Sequence, residues 1–407
     1  MDNKPTYLIF VSEDNHNKYY NMFPQGDHFK VEYGRVNVTK TEQTYPISDW
    51  DKKYREKIKK GYTDISDTKQ ELIESVTSSG SATYKQIDNA SVRAIVEKLQ
   101  RMAREAIDKN YTVKASAVTQ TMIDKAQETI DSLGEYIINK DVNGFNSCLI
   151  SLFQILPRKM AVVNDYLAHS FDAMDKIVSR EQSLLDVMKG QVYKPEEHKD
   201  DGIPVSDKTI LEENNLIMEE GTAEDIRIVK QLMDANGSNS SGYFRKVWKV
   251  TNTVTQKAFD DFVKSNNIKD TQLLFHGSRT ENFWSIMKMG MKLRPNAKIC
   301  AKMFGSGLYF APKCRKSMGY TSLSGSYWVS GGDNIAYMAI FDTAYGTPYH
   351  TDNNREFFYD YGETDLLKRH KGCNCVHAHA GAQLQNDEII FYNEHQITIK
   401  YLVEIGK

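Results

Sequence analysis

The spacing of apolar residues changes twice along this chain, and each change limits what can fold there. Between residues 6 and 80 the spacing is that of strands. Tyr7-Leu8-Ile9-Phe10-Val11 reads as a strand, and His28-Phe29-Lys30-Val31-Glu32-Tyr33 alternates as a half-buried strand does. A charged helix is predicted from Trp50 to Ile58. From about 86 to 190 the spacing becomes helical. Val92, Ile95, Val96, Leu99, Met102, Ala103 and Ala106 fall on one face. A second helix carries Met122, Ala126, Ile130 and Leu133, and a third holds Phe145, Cys148, Leu149, Leu152 and Phe153 before Pro157 stops it. A fourth runs through Val162, Tyr166, Ile177 and Leu184, with a break, and ends at Gly190.

Residues 191–207 are polar, hold two prolines and show no periodicity, so they read as a linker. Beyond them come an amphipathic helix around Glu224–Leu232, a polar loop Asn236–Gly242 and many short strands. At 407 residues the chain has room for two or three domains, each with its own core. A formal net charge of −2 excludes a protein that is basic throughout, so any nucleic-acid contact must come from a local patch. No apolar run approaches the roughly 20 residues of a membrane helix, so no membrane partner is expected. Five scattered cysteines do not form a disulfide framework, and the first residues lack a signal-peptide pattern. An intracellular location is expected, nucleus in a eukaryote or nucleoid and cytoplasm otherwise.

Three short segments in the C-terminal half carry chemistry. They are Leu274-Phe275-His276-Gly277-Ser278-Arg279, Met303-Phe304-Gly305-Ser306-Gly307-Leu308-Tyr309-Phe310-Ala311, and Asn386-Asp387-Glu388-Ile389-Ile390. Each sets a His, a Tyr or a Glu at the edge of an apolar run that reads as a buried strand, and such groups can converge on one cleft. No single one of these residues carries the inference; their joint order does. Gly305-Ser306-Gly307 lacks the third glycine of a dinucleotide fingerprint and leads into a strand instead of a helix, which argues against a dehydrogenase. Cys373-Asn374-Cys375-Val376-His377-Ala378-His379 holds four metal-ligand types in seven residues. The spacing is unlike that of structural zinc sites, and no metal is expected.

In these motifs, their order and their flanks, residues 205–407 resemble the catalytic domain of the poly(ADP-ribose) polymerases. Lys316-Ser317-Met318-Gly319-Tyr320 and the closing strand Gln396–Leu402 belong to the same resemblance. It implies a mixed α+β ADP-ribosyltransferase domain built on antiparallel strands, with NAD+ as substrate. His276, Tyr309 and Glu388 would be the catalytic set. Gly277 and Ser317 would hold the nicotinamide carboxamide, Tyr309 and Tyr320 would flank the ring, and His276 with Ser278 would bond the adenosine ribose. Lys292 stands near the adenine end, where the family often has Arg, and the basic loop between Pro295 and Met303 is slightly short; both bear on NAD+ affinity.

Asn17-Lys18-Tyr19-Tyr20 and Val31-Glu32-Tyr33-Gly34-Arg35-Val36 resemble the WGR domain of DNA-dependent members, with Tyr33 in place of its tryptophan. A basic run interleaved with tyrosine, including Lys52, Lys57 and Lys60, suits phosphate or a solvated helix face, and Arg35 is the preferred DNA contact. Residues 86–190 resemble the family's regulatory helical domain. The expected layout is therefore multidomain α+β: a WGR-like domain at 1–80, a helical regulator at 86–190, a linker at 191–207 and the transferase at 208–407. The implied function is DNA-break-activated transfer of ADP-ribose to proteins, including the enzyme itself, and to growing chains. A mono-ADP-ribosyltransferase and a DNA-end-binding scaffold with weak or no catalysis stay open.

Overall fold

The computed structural model describes residues 4–36, 38–66, 84–113, 115, 118–192, 206–293, 303–325, 331–358, 360–381 and 383–407. Of the linker expected at 191–207, residues 193–205 lie outside the described residues, as do Lys298 and Lys302 of the basic loop before Met303; Gln191 and Val192 instead end the Phe171–Val192 helix, and Ser206 opens the strand Ser206–Thr209. The contacts divide the chain into two compact units. One joins Met1–Ser81 to Arg104–Val192; the other joins Ala82–Ala103 to Tyr193–Lys407. The helix Ala90–Asn110 therefore contributes Ala90–Ala103 to the second unit and its last turns, from Arg104, to the first.

In the first unit the strands Thr6–Ser12, His16–Gln25, His28–Arg35, Thr41–Pro46 and Thr63–Asp64 form one antiparallel sheet. The Trp50–Lys59 helix packs on it through Trp50, whose ring meets Phe29 edge-on with centroids 5.0 Å apart. The helix Val142–Ile155 packs against the Thr6–Ser12 strand. Packing on both faces explains why Tyr7, Leu8 and Ile9 are all buried and the strand reads as a continuous apolar run.

The helices Gln120–Ile138, Val142–Ile155 and Phe171–Val192 complete this unit. Thr119 and Asp141 cap the first two by accepting from the N–H groups of Met122 and Gly144. The expected fourth helix is broken, as a short 3-10 turn at Val163–Tyr166 precedes Phe171–Val192. Arg158 and Glu181 form an ion pair that is almost fully buried, and Arg158 also donates to Asn110 at 3.0 Å. Two partners on Arg158 offset part of the cost of taking its charge out of water.

Arg35 ties the sheet to the helices. Its guanidinium donates to the Asn15 carbonyl at 2.8 Å, to Asn15 Oδ1 at 2.9 Å and to the Ala161 carbonyl at 2.7 Å. Charge-assisted bonds of this kind contribute roughly 1.5–3 kcal/mol each when well shielded, and less when wet. Arg35→Ala is therefore expected to lower the stability of this unit by about 2 kcal/mol. A shift in the urea midpoint measures it, and an unchanged midpoint would mean the three bonds contribute nothing.

Among the described residues the second unit holds two larger sheets and a parallel pair, Tyr84–Lys85 with Ser206–Thr209. Strands Gln272–Gly277, Ile335–Thr343, Ile397–Gly406, Phe244–Asn252 and Leu216–Glu220 lie in that spatial order, all antiparallel. The second sheet runs Leu308–Phe310, Glu388–Phe391, Cys375–Ala378 and Pro348–Thr351, with only the last pair parallel. The first half of the Ala90–Asn110 helix docks on the larger sheet. Ser91 accepts from the Trp248 indole at 3.0 Å, and Lys98 donates to the Tyr337 hydroxyl at 2.8 Å. Tyr337 in turn donates to Glu404 at 2.7 Å. No helix among the described residues is long and apolar enough to cross a membrane.

Candidate active site

The two larger sheets of the second unit meet at a bridge. Phe275 and Ala311 exchange backbone hydrogen bonds, each 3.0 Å long. The Leu308–Phe310 strand pairs Tyr309 with Ile390 and Phe310 with Ile389, so the next register step brings Glu388 beside Ala311. His276 and Gly277 directly follow Phe275. Chain segments more than 100 residues apart are thereby gathered around one edge.

Gly277 ends its strand against the backbone of the Cys314–Met318 helix. A Cβ there would lie 1.8 Å from the Ser317 carbonyl oxygen, so any other residue would push the two segments apart. The buried Ser317 hydroxyl donates to the Phe275 carbonyl at 3.1 Å and keeps lone pairs for an incoming N–H. Ser278 accepts from Asn282 at 2.9 Å.

The His276 imidazole meets the Tyr309 carbonyl at 3.2 Å and packs against Phe310 and Phe341. Burial pulls its pKa down to about 4, with the Tyr309 carbonyl opposing the change. At physiological pH the ring is neutral, offering one donor and one acceptor nitrogen. The Tyr309 hydroxyl donates to the Gly305 carbonyl at 2.8 Å and accepts from the Phe304 N–H at 3.0 Å. It thus closes the turn that Gly305, at φ +81°, allows. Tyr309 stays a neutral phenol, held so by burial and then by the Glu388 charge. Tyr320 lies at the surface of the same site, and burial with the nearby Glu388 pushes its phenol up to about 12.

Glu388 opens its strand with its carboxylate 2.7 Å from Lys316 Nζ, both side chains largely buried. Lys316 also donates to the Asn386 carbonyl at 2.9 Å. Burial lowers the Lys316 pKa, while Glu388 works against it. Sequence reading passed over Lys316, although it lies in the same short motif as Ser317 and Tyr320. Its signal was a lysine amid a segment otherwise destined for the interior. Lys292 forms an ion pair with Glu394 at 2.8 Å.

In the first unit the sequence-derived DNA residues divide by environment. Lys52 is exposed, and Lys60 is exposed but paired with Glu56 at 2.6 Å. Lys57 lies over the Tyr20 ring, 4.0 Å from its centroid. Arg35 is engaged within the unit, as described above.

A carboxylate fixed by a lysine, beside two neutral phenols and a neutral imidazole, suits a reaction that builds positive charge on a sugar. Residues 223–330 match the poly(ADP-ribose) polymerase catalytic domain. A putative poly(ADP-ribose) polymerase-like protein, 100L of Invertebrate iridescent virus 6, is 32% identical over 197 residues, 47% of this chain and 98% of that protein. Protein 101L of the same virus, uncharacterized, is 31% identical over 188 residues, 46% of this chain and 77% of that one. Poly(ADP-ribose) polymerase 1 of Gallus gallus is 29% identical over 133 residues, 32% of this chain but 13% of its own length.

The chain belongs to the poly(ADP-ribose) polymerase family. It is an ADP-ribosyltransferase that uses NAD+ as its substrate.

Proposed function

We propose that the protein is a DNA-break-activated poly(ADP-ribose) polymerase acting on protein acceptors, itself included, and on growing chains, inside the cell. The observation that carries the reading is the Glu388 carboxylate held by Lys316 at 2.7 Å beside Tyr309 and Tyr320. Cleavage of the nicotinamide–ribose bond gives the ribose oxocarbenium character, and Glu388 stabilises that charge where it develops. Nicotinamide leaves neutral with the bonding electrons, so no strong acid is needed. Gly277 and Ser317 hold the carboxamide, Tyr309 and Tyr320 flank the ring, and neutral His276 with Ser278 bonds the adenosine ribose. Lys292 serves the adenine end. For elongation Glu388 also activates the acceptor hydroxyl.

DNA activation rests on the resemblance of the first unit to a reader and a helical regulator, and on the exposed lysine-rich helix face. Lys52 is a better phosphate contact than Arg35, Lys57 or Lys60, whose cationic groups are already engaged.

Purified protein incubated with labelled NAD+ should make a ladder of polymer with nicked DNA and at least about tenfold less without it. Deleting residues 104–190 with a flexible join should raise the DNA-free rate toward the stimulated one. This deletion keeps the Ser91 and Lys98 contacts to the catalytic sheet. A single-size product would mean mono-transfer. A soluble deletion that still requires DNA would refute the gating.

A further inference from the structure

Outside the cleft, the second sheet brings three imidazoles together. His350 lies on the strand Pro348–Thr351 and is paired in parallel register with His377 on Cys375–Ala378. His379 follows His377 by two residues and so returns to the same side. One nitrogen from each ring can be chosen so that all three lie within 4.8 Å of one another. The rings stack at 4.3 Å for His377 with His379 and 5.0 Å for His350 with His379.

We propose that His350, His377 and His379 form a binding site for a divalent cation of the zinc class. His350 Nδ1 and His379 Nε2 stand 2.8 Å apart, so two neutral rings must share one proton between two lone pairs. A cation can take the place of that proton and engage both nitrogens. Zinc–imidazole bonds of about 2.0–2.1 Å in a tetrahedron place ligand nitrogens roughly 3.3 Å apart, so the His350–His379 pair would open by about half an ångström while the third ring, whose nitrogen lies within 4.8 Å of the other two, closes in.

The far nitrogens already have partners that set ring orientation. The Tyr345 hydroxyl lies 2.7 Å from His377 Nδ1, and Asp387 Oδ2 lies 3.1 Å from His379 Nδ1. Such outer partners are what metal-ligating histidines use. Asp387 Oδ2 is also 3.0 Å from His377 Nε2, and by turning inward as a fourth ligand it would exchange both histidine contacts for the cation. Three imidazoles and a carboxylate suit Zn2+, and exposed His350 gives a path for entry.

The neighbouring thiols play no part. Cys375 is buried, with its sulfur 3.4 Å from the Tyr345 carbonyl, and burial holds both the Cys373 and Cys375 thiols protonated. This set differs from the Cys373–His379 run weighed in the sequence: two of its histidines remain, and His350 comes from another strand. Because Asp387 adjoins Glu388, a bound cation would also pin the segment leading into the catalytic strand.

The test uses the full chain without a polyhistidine tag, stripped with chelator and titrated with Zn2+, with Co2+ as a spectroscopic probe. One Zn2+ per chain should survive gel filtration, and Co2+ should show the strong visible bands of a tetrahedral nitrogen-rich site. His350→Ala and His379→Ala should each weaken binding at least about tenfold, and together abolish it. Cys373→Ser should change nothing. Unchanged metal-free melting in the variants separates lost ligation from lost folding. Substoichiometric Zn2+ in the wild-type chain, full binding by the double variant, or loss on Cys373→Ser would each overturn the proposal.

Discussion

Glu388→Gln is expected to lower ADP-ribosyl transfer by about two to three orders of magnitude, a size typical of losing one preorganised transition-state group. Glutamine preserves the shape and still accepts a hydrogen bond from Lys316, so the fold should survive. It cannot offer the full negative charge that the ribose calls for as nicotinamide departs. NAD+ binding, followed by titration calorimetry on the inactive variant, should change only a few-fold. Polymer of wild-type length and rate on a denaturing gel would remove Glu388 from the catalytic role. A folded variant that fails to bind NAD+ would make it a binding residue instead.

Gly277→Ala should be almost as damaging by a different route. The added methyl would lie 1.8 Å from the Ser317 carbonyl oxygen, a backbone atom held by its helix. The end of the Gln272–Gly277 strand must then move away from the helix that carries Lys316 and Ser317. Shifts of about 1 Å at a positioned site cost on the order of a hundredfold in rate. Here the loss should fall on NAD+ affinity first, because Gly277 and Ser317 are the proposed carboxamide clamp. Far-UV circular dichroism should be nearly unchanged while NAD+ binding weakens by about tenfold or more. Wild-type affinity would mean that the site accommodates the methyl and that the clamp lies elsewhere.

Much of this architecture could be read before any coordinates. The Tyr7–Val11 and His28–Tyr33 strands, the Trp50 helix and the helices around Ile130 and Leu149 all formed within a few residues of expectation. Their apolar spacing is local, since contacts at i+2 or i+4 are present in the residue order itself. The His276, Tyr309 and Glu388 segments were legible for the same reason: each is a short strand edge with its own punctuation. The broken fourth helix was legible as a break, with its 3-10 turn at Val163–Tyr166.

Other features depended on which distant strands became neighbours. Lys316 could be seen as a lysine in a motif, but its pairing with Glu388 needs the sheet register that brings residue 388 beside Ala311. His350 had no partner in sight until parallel pairing set it opposite His377. Arg35 was the preferred DNA contact from its place in the Gly34-Arg35 turn of the WGR-like segment, and the folded chain supplies Asn15 and Ala161 carbonyls to its guanidinium. Likewise, one continuous helical period from Ala90 to Asn110 gives no hint that its parts before and after Arg104 join different compact units. Residue order by itself determined the elements and the set of reactive side chains, because both follow from spacing along one strand or helix. Tertiary structure alone decided their partners, because long-range register and burial join groups that no local pattern connects.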